Sequence, residues 1–164
     1  VRGGIVPTEV LLAPNKRGIS AGFLNGPGGK VDPDDKTVRK GLVRECEEEH
    51  EIGVDSDSLV MIGLVEFRFD GEPMFECFIY LIPEWSGEPA ETKEKGPPEW
   101  HPVNQLPLTQ MWKGDDIWVP RMLAGEVLKG WIDYDTATKE VKGSHFETTT
   151  AAYLEGLAAK YSKE

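Results

Sequence analysis

Residues 37–51 read TVRKGLVRECEEEHE, and this stretch decides the fold. Thr37 is a good N-cap and Gly53 stands where a helix would stop, so the pattern predicts a helix from Thr37 to about Glu51. At about 100° per residue, Val38, Leu42 and Cys46 form one apolar stripe roughly 80° wide. Glu49 falls inside that stripe, Glu45 lies at its edge, and Glu48 sits about 60° further round. A run of Glu ordinarily marks a solvated helix face. That meaning fails here, because two of the carboxylates share the face the helix must bury. Buried carboxylates are paired, protonated or bound to a cation. Three acids at i, i+3 and i+4 suit a hard divalent ion with oxygen ligands, and Arg44, one turn before Glu48, is placed to orient it.

Just upstream, residues 13–30 are too rich in Gly and Pro for a helix or strand interior. A loop of that length inside a compact domain is functional or disordered, and this one leads into the acidic helix. Glycines let a backbone approach a ligand closely, and loop carbonyls can complete a metal's coordination. The pair reads as metal-assisted chemistry on a diphosphate. The loop lacks the Gly-Lys-Ser/Thr ending of a phosphate loop, which argues against an ordinary kinase or ATPase.

Working outward, Val6–Leu12 reads as a strand interrupted by Pro7. Val65, Phe67 and Phe69 alternate with Glu66, Arg68 and Asp70, the period of a half-buried strand. Asp70-Gly71 then turns the chain into a second strand, Met74 to Ile82, which makes a hairpin. Residues 84–98 are polar and rich in Pro and Gly. Short strands are expected at Trp100–Val103 and Trp131–Tyr134, a short helix at Ile117–Val127 beginning near Pro120, and a C-terminal helix at Ala151–Tyr161 with Tyr153, Leu154, Leu157 and Tyr161 close to one face.

The 164 residues carry 29 acidic and 18 basic side chains, for a formal charge of -11, and the length predicts one domain. The acidity argues against a nucleic-acid polymer as partner, since such binders cluster Lys and Arg against phosphates. A phosphorylated substrate would therefore be held through metal ions. Cys46 and Cys77 are too few for a disulfide framework and lie in apolar stretches, which predicts buried, unpaired thiols. No apolar run approaches the ~20 residues of a membrane span and no leader precedes the first strand, so the expected location is cytoplasmic, with no membrane partner.

GGKVDPDDKTVRKGLVRECEEEHEI resembles the Nudix box, G-x5-E-x7-R-E-U-x-E-E-x-G-U with U a bulky apolar residue. Arg44, Glu45, Cys46, Glu48, Glu49 and Ile52 match its second half in register, the whole box spanning residues 29–52. Gly29 to Arg44 spans one residue too many. The box's first Glu therefore falls on Asp35 counted forward and on Lys36 counted back, and Glu51 occupies the late Gly position. Neither departure removes a carboxylate expected to bind metal.

The resemblance extends to the MutT-homologue branch that removes oxidised purine nucleoside triphosphates. EVLLAPNKRGISAGFLNGPGGKV, FRFDGEP at 67–73, Trp100 and MWKGDDIWVP at 111–120 are all similar to it, and the match covers most of residues 8–135. It implies an α+β fold, a Nudix-type α/β/α sandwich with a mixed sheet, plus a C-terminal helix at about 147–162 beyond the match, all in a single domain spanning 1–164. By resemblance, Glu45, Glu48, Glu49 and the Gly29 carbonyl hold Mg²⁺ (Mn²⁺ as a substitute), Arg44 fixes their geometry, and Glu94 sits near another family acid. The implied reaction is hydrolysis of a substrate such as 8-oxo-dGTP to monophosphate and pyrophosphate, by a monomer or homodimer. A Nudix enzyme of another nucleotide or nucleoside diphosphate derivative, and a silent nucleotide-binding module, are the alternatives.

For the base, Asn25 can pair with a purine edge through its amide, although an Asn before Gly26 is also an ordinary turn residue. Trp112 beside Asp115 and Asp116 says more. Two neighbouring carboxylates in a partly apolar pocket cannot both ionise cheaply, so one stays protonated as donor and the other accepts, with Trp112 on the base face. Trp85, Trp100, Trp118 and Trp131 are expected in packing roles, and His50, His101 and His145 lack ligand spacing.

Overall fold

The computed structural model describes residues 1–162. In chain order it contains β1 (Glu9–Pro14), β2 (Leu24–Asn25), α1 (Val38–His50), β3 (Val60–Phe69), β4 (Glu72–Leu81), β5 (Glu99–Pro102), α2 (Asp115–Leu123), β6 (Leu128–Tyr134), β7 (Val141–Thr148) and α3 (Ala151–Ala158), which runs into a 3-10 turn, Ala159–Tyr161. One sheet is three-stranded and antiparallel in the order β2-β1-β5. The other is four-stranded and mixed, β4-β3-β6-β7, with β3 and β6 parallel.

Both faces of the larger sheet are covered, so the α+β sandwich expected from the sequence is the fold observed. Ile62, Val65, Leu128, Ile132 and Tyr134 pack against Trp118, Met122 and Leu123 of α2. On the opposite face Met61 and Leu64 meet Val38 of α1 and Leu154 and Ala158 of α3. Cys46 joins Ile52, Val54 and Leu59 in a third cluster that seats the C-terminal half of α1. The predicted stripe thus holds α1 in place, and Glu45 and Glu49 are buried with it.

The ends of α1 explain its limits. Thr37 caps it, its hydroxyl accepting from the Lys40 N–H at 3.1 Å. It stops at Glu51, which takes the left-handed conformation at φ 58° and donates its own N–H to the Cys46 and Glu47 carbonyls. That conformation favours Gly, and it is the box position where Glu stands instead. The hairpin also forms as predicted, with Asp70 and Gly71 both at positive φ.

Several boundaries differ from the sequence reading. The strand expected at Val6–Leu12 is β1, Glu9–Pro14; Pro7 has no N–H to donate, and Val6 is left exposed. The strands at 65–69, 74–82 and 131–134 are longer or shifted, at Val60–Phe69, Glu72–Leu81 and Leu128–Tyr134, and the one at 100–103 is Glu99–Pro102. The helix expected at 117–127 begins at Asp115 and ends at Leu123, with Pro120 inside it; Gly125, at φ 103°, stops it. The C-terminal helix does not begin at 147, because residues up to Thr148 pair with β6 as the edge strand β7. Only Leu154 and Ala158 of α3 are buried, while Tyr153 and Tyr161 are about half exposed. Cys46 is a buried free thiol, but Cys77 is only half-buried, since its strand β4 lies at the sheet edge.

Candidate active site

Arg44 organises the face of α1 that looks onto the glycine-rich loop. Its Nε and Nη2 grip the two oxygens of Asp35 at 2.9 and 3.0 Å, a bidentate fork. Nη1 donates to Glu45 at 3.1 Å and Glu48 at 3.0 Å, and Nη2 also reaches the Lys30 carbonyl at 3.0 Å. The Arg44 fork and the Asp32 N–H hold the Asp35 carboxyl below its usual range. Of the two residues on which the box's first acid can fall, Asp35 makes the fork to Arg44, while Lys36 is left-handed, φ 62°, with its side chain exposed.

Glu45 and Glu49 are the buried acids of the helix. Burial raises both carboxyls, opposed by Arg44 for Glu45, and by Lys95 and the Gly28 N–H for Glu49. That N–H reaches Glu49 Oε2 at 3.0 Å, so the loop backbone closes directly onto the helix. Gly29 is pressed against Glu45, and a Cβ there would run into the carboxylate. Glu48 is half exposed. Glu94 forms an ion pair with Arg17, and its charge raises Glu45 and Glu49, so it faces the same region.

Hard oxygen donors on a desolvated face, with Gly29 of the loop pressed against Glu45, fit a divalent cation. Among the described residues no three acids already form a cage, because Arg44 draws Glu45 and Glu48 to itself while Lys95 faces Glu49. Lys95 gave no signal in the sequence. A lone Lys in a polar Pro/Gly loop reads as solvated, yet it is only 1% exposed. Its Nζ donates to Asn25 Oδ1 and, at 3.0 Å, to the Gly26 carbonyl, and stands 3.8 Å from Glu49. Burial lowers its pKa, opposed by Glu49 and Glu45.

The second half of the site forms around α2. Gly114 precedes the helix at φ 92°, and a Cβ on it would meet Tyr134 Oη at 3.0 Å and the Ile132 side chain. Only Gly fits there, and it places Asp115 and Asp116 at the helix N-terminus. Asp115 is buried, and its carboxyl is pushed up to about 7, mainly by burial and further by the neighbouring Asp116 charge, against the Trp112 backbone. Asp116 is exposed. Trp112 stands edge-on to Phe23 at 5.2 Å and 6.0 Å from Tyr134, which stacks on Phe69 and Phe67. The Tyr134 hydroxyl donates to the Lys113 carbonyl at 2.7 Å and pins this segment.

Asn25 is brought to the same place. Phe23 packs on Trp112, Leu24 bridges to Met111, and Asn25 ends β2 beside them. Of the expected packing tryptophans, Trp118 is core, Trp85 pairs with Trp100, and Trp131 lies under Arg68. His50 is buried.

Comparison with known proteins gives a consistent picture. The NUDIX domain family matches residues 5–122. The chain is 37% identical over 131 residues to an oxidized purine nucleoside triphosphate hydrolase of Danio rerio, covering 79% of this chain and 81% of the relative. To the protein of the same description from Mus musculus it is 36% identical over 118 residues, covering 71% and 73%. The fold is similar to the crystal structure of a MutT protein from Bacillus halodurans, with a TM-score of 0.69 at 21% identity over 90% of this chain and 92% of that one.

Proposed function

Because the chain belongs to the NUDIX family, we propose that it hydrolyses oxidised purine nucleoside triphosphates, 8-oxo-dGTP among them, to monophosphate and pyrophosphate, and so clears the nucleotide pool. The observation that carries the substrate is the Asp115–Asp116 pair. A buried carboxyl near pH 7 beside an exposed one, against Trp112, offers a donor and an acceptor at the edge of a flat ring. The relatives' description points the same way.

A Nudix hydrolase needs a divalent cation, and here Mg²⁺ would be held by Glu45, Glu48, Glu49 and the Gly29 carbonyl. When bound, that ion supplies charge neutralisation at the phosphate oxygens and acidifies the attacking water. The chain's own residues do the rest. Arg44 fixes the directions of Glu45 and Glu48 through two bonds from one nitrogen. The Gly28 N–H fixes Glu49 and brings the loop close enough to exclude bulk water from that oxygen. Asp115 donates to the base, Asp116 accepts, and Trp112 covers the ring. Among the described residues no helix is long and apolar enough to cross a membrane.

A turnover screen of oxidised and normal nucleoside triphosphates and nucleoside diphosphate derivatives, with Mg²⁺, tests this. Release of pyrophosphate with preference for an oxidised purine is the expected result. Preferential cleavage of a diphosphate derivative would move the assignment to that substrate class, and no turnover of any would leave a binding module.

A further inference from the structure

Lys95 connects the two halves of the site. An ammonium has three donors and no acceptor, and at 1% exposure each must find a partner within the protein. Two go to Asn25 Oδ1 and the Gly26 carbonyl, and Glu49 Oε2 lies 3.8 Å away. The backbone holds the strut from both sides: Gly96 N–H donates to the Pro14 carbonyl at 2.9 Å, and Lys95 N–H and Glu94 N–H both donate to Thr92 Oγ1, which itself donates to the Glu49 carbonyl at 3.0 Å. The side chain therefore has little freedom to withdraw.

One consequence concerns Asn25. A Lys can only donate, so the atom facing it is the amide oxygen and not the nitrogen. The Asn25 NH₂ is then the group left to donate elsewhere, at the end of β2, whose Leu24 bridges to Met111, next to Trp112 in the chain. We propose that Lys95 is a positioning residue: it locks the Asn25 amide so that it presents a donor to the base, and ties that orientation to Glu49 on the catalytic helix. Asn25 then reads an acceptor on the purine edge, while Asp115 and Asp116 read a donor–acceptor pair elsewhere on it. The inference rests on the base-pocket reading above.

The experiment uses the full chain with Lys95→Met, which cannot donate, Lys95→Gln, which can, Asn25→Ala, and the Lys95→Met/Asn25→Ala double variant. The first readout needs neither substrate nor metal: the side-chain amide NMR signals of Asn25 in the free protein. They should shift toward the values of a freely rotating amide in Lys95→Met and recover in part in Lys95→Gln. The second is the kcat/KM ratio for 8-oxo-dGTP over dGTP, together with the affinities of the two monophosphate products in EDTA. The ratio should fall about tenfold in Lys95→Met, the loss of roughly one oriented hydrogen bond, mainly through KM. It should fall no further in the double variant than in Asn25→Ala alone, because Lys95 acts through Asn25. Unchanged amide signals, or additive losses, would overturn the proposal. Should Lys95→Met fail to fold, Lys95→Gln, whose shorter side chain restores the contact only in part, should show the same changes in smaller measure, and parent-like amide signals with an unchanged ratio there would overturn the proposal. Shifted amide signals with an unaltered ratio in Asn25→Ala would overturn instead the base reading on which the inference rests.

Discussion

The face of α1 and the mouth of α2 each bury carboxylates, and they resolve the same desolvation problem in opposite ways. On α1 fixed cations come to the carboxylates and oppose the burial that raises them: Arg44 bridges Asp35, Glu45 and Glu48, and Lys95 stands by Glu49. At α2, among the described residues no cation pairs with Asp115, and burial pushes its carboxyl up to about 7. A face kept anionic is ready for metal and phosphate chemistry. A neutral acid in an aromatic pocket is a hydrogen-bond donor that a nucleobase can use. On the proposed reading, electrostatic environment more than residue type separates reaction from recognition.

The largest effect should come from removing charge at α1. Glu48→Gln and Glu49→Gln are each expected to lower kcat by 10³-fold or more, the order seen when a group stabilising charge at the reacting centre is lost, with thermal unfolding little changed for the half-exposed Glu48. Chelation should abolish turnover in the parent. Activity that persists in EDTA, or in both variants, would mean that Arg44 and Lys95 already satisfy these carboxylates for purely structural ends, and the contrast with α2 would collapse.

The α2 pair should respond unequally. Asn can replace a protonated acid as donor but cannot supply a charged acceptor, so Asp115→Asn should be mild. Asp116→Asn should cost about 1–3 kcal/mol of discrimination between 8-oxo-dGTP and dGTP. Titration supplies a second signature. The folded-state pKa of Asp115 lies above its ordinary 3.8, so the folded state holds the proton more tightly than the unfolded chain does. Stability associated with it is full below about pH 4, is lost as pH rises through about 7, and is flat above. Urea unfolding across that window should show a decline of up to ~4 kcal/mol that Asp115→Asn removes. Equal effects of the two substitutions, or a pH profile that Asp115→Asn leaves unchanged, would show that no neutral acid sits in the pocket.

The sequence shows the two halves unequally, for physical reasons. The acidic helix was legible because its cap, apolar stripe and buried acids are all local, within residues 37–51. The Asp115–Asp116 pair was legible as chemistry but not as structure. Pro120 suggested a helix start, whereas Gly114, packed under Tyr134 and Ile132, sets the start five residues earlier than that. The choice between Asp35 and Lys36 could not be read locally, since it depends on which of them meets Arg44 nine residues on. β7 carries few buried side chains and a Gly, so no period marked it. Lys95 was invisible because its burial depends on Asn25, which lies 70 residues away.

The smallest effect concerns the two left-handed residues that bound the helices of the site. Gly114 opens α2 at φ 92° where a Cβ has no room, whereas Glu51 closes α1 at φ 58° with its side chain in solvent. Glu51 therefore carries backbone strain that a side-chain contact does not require, worth about 1–2 kcal/mol for a non-Gly residue in this region. An acid at a helix C-terminus also opposes the dipole. Glu51→Gly relieves both and costs about 0.5–1 kcal/mol of added chain entropy in the unfolded state, for a net gain of about 0.5–1 kcal/mol. The N–H bonds to Cys46 and Glu47 are backbone groups and survive the change. Thermal unfolding should shift upward by about 1–4 °C, with kcat/KM unaltered because the face of Glu45 and Glu49 is untouched. A fall in stability would show that the exposed carboxylate holds the end of α1, and that its charges, like those of its inner face, are matched by cations across the whole helix.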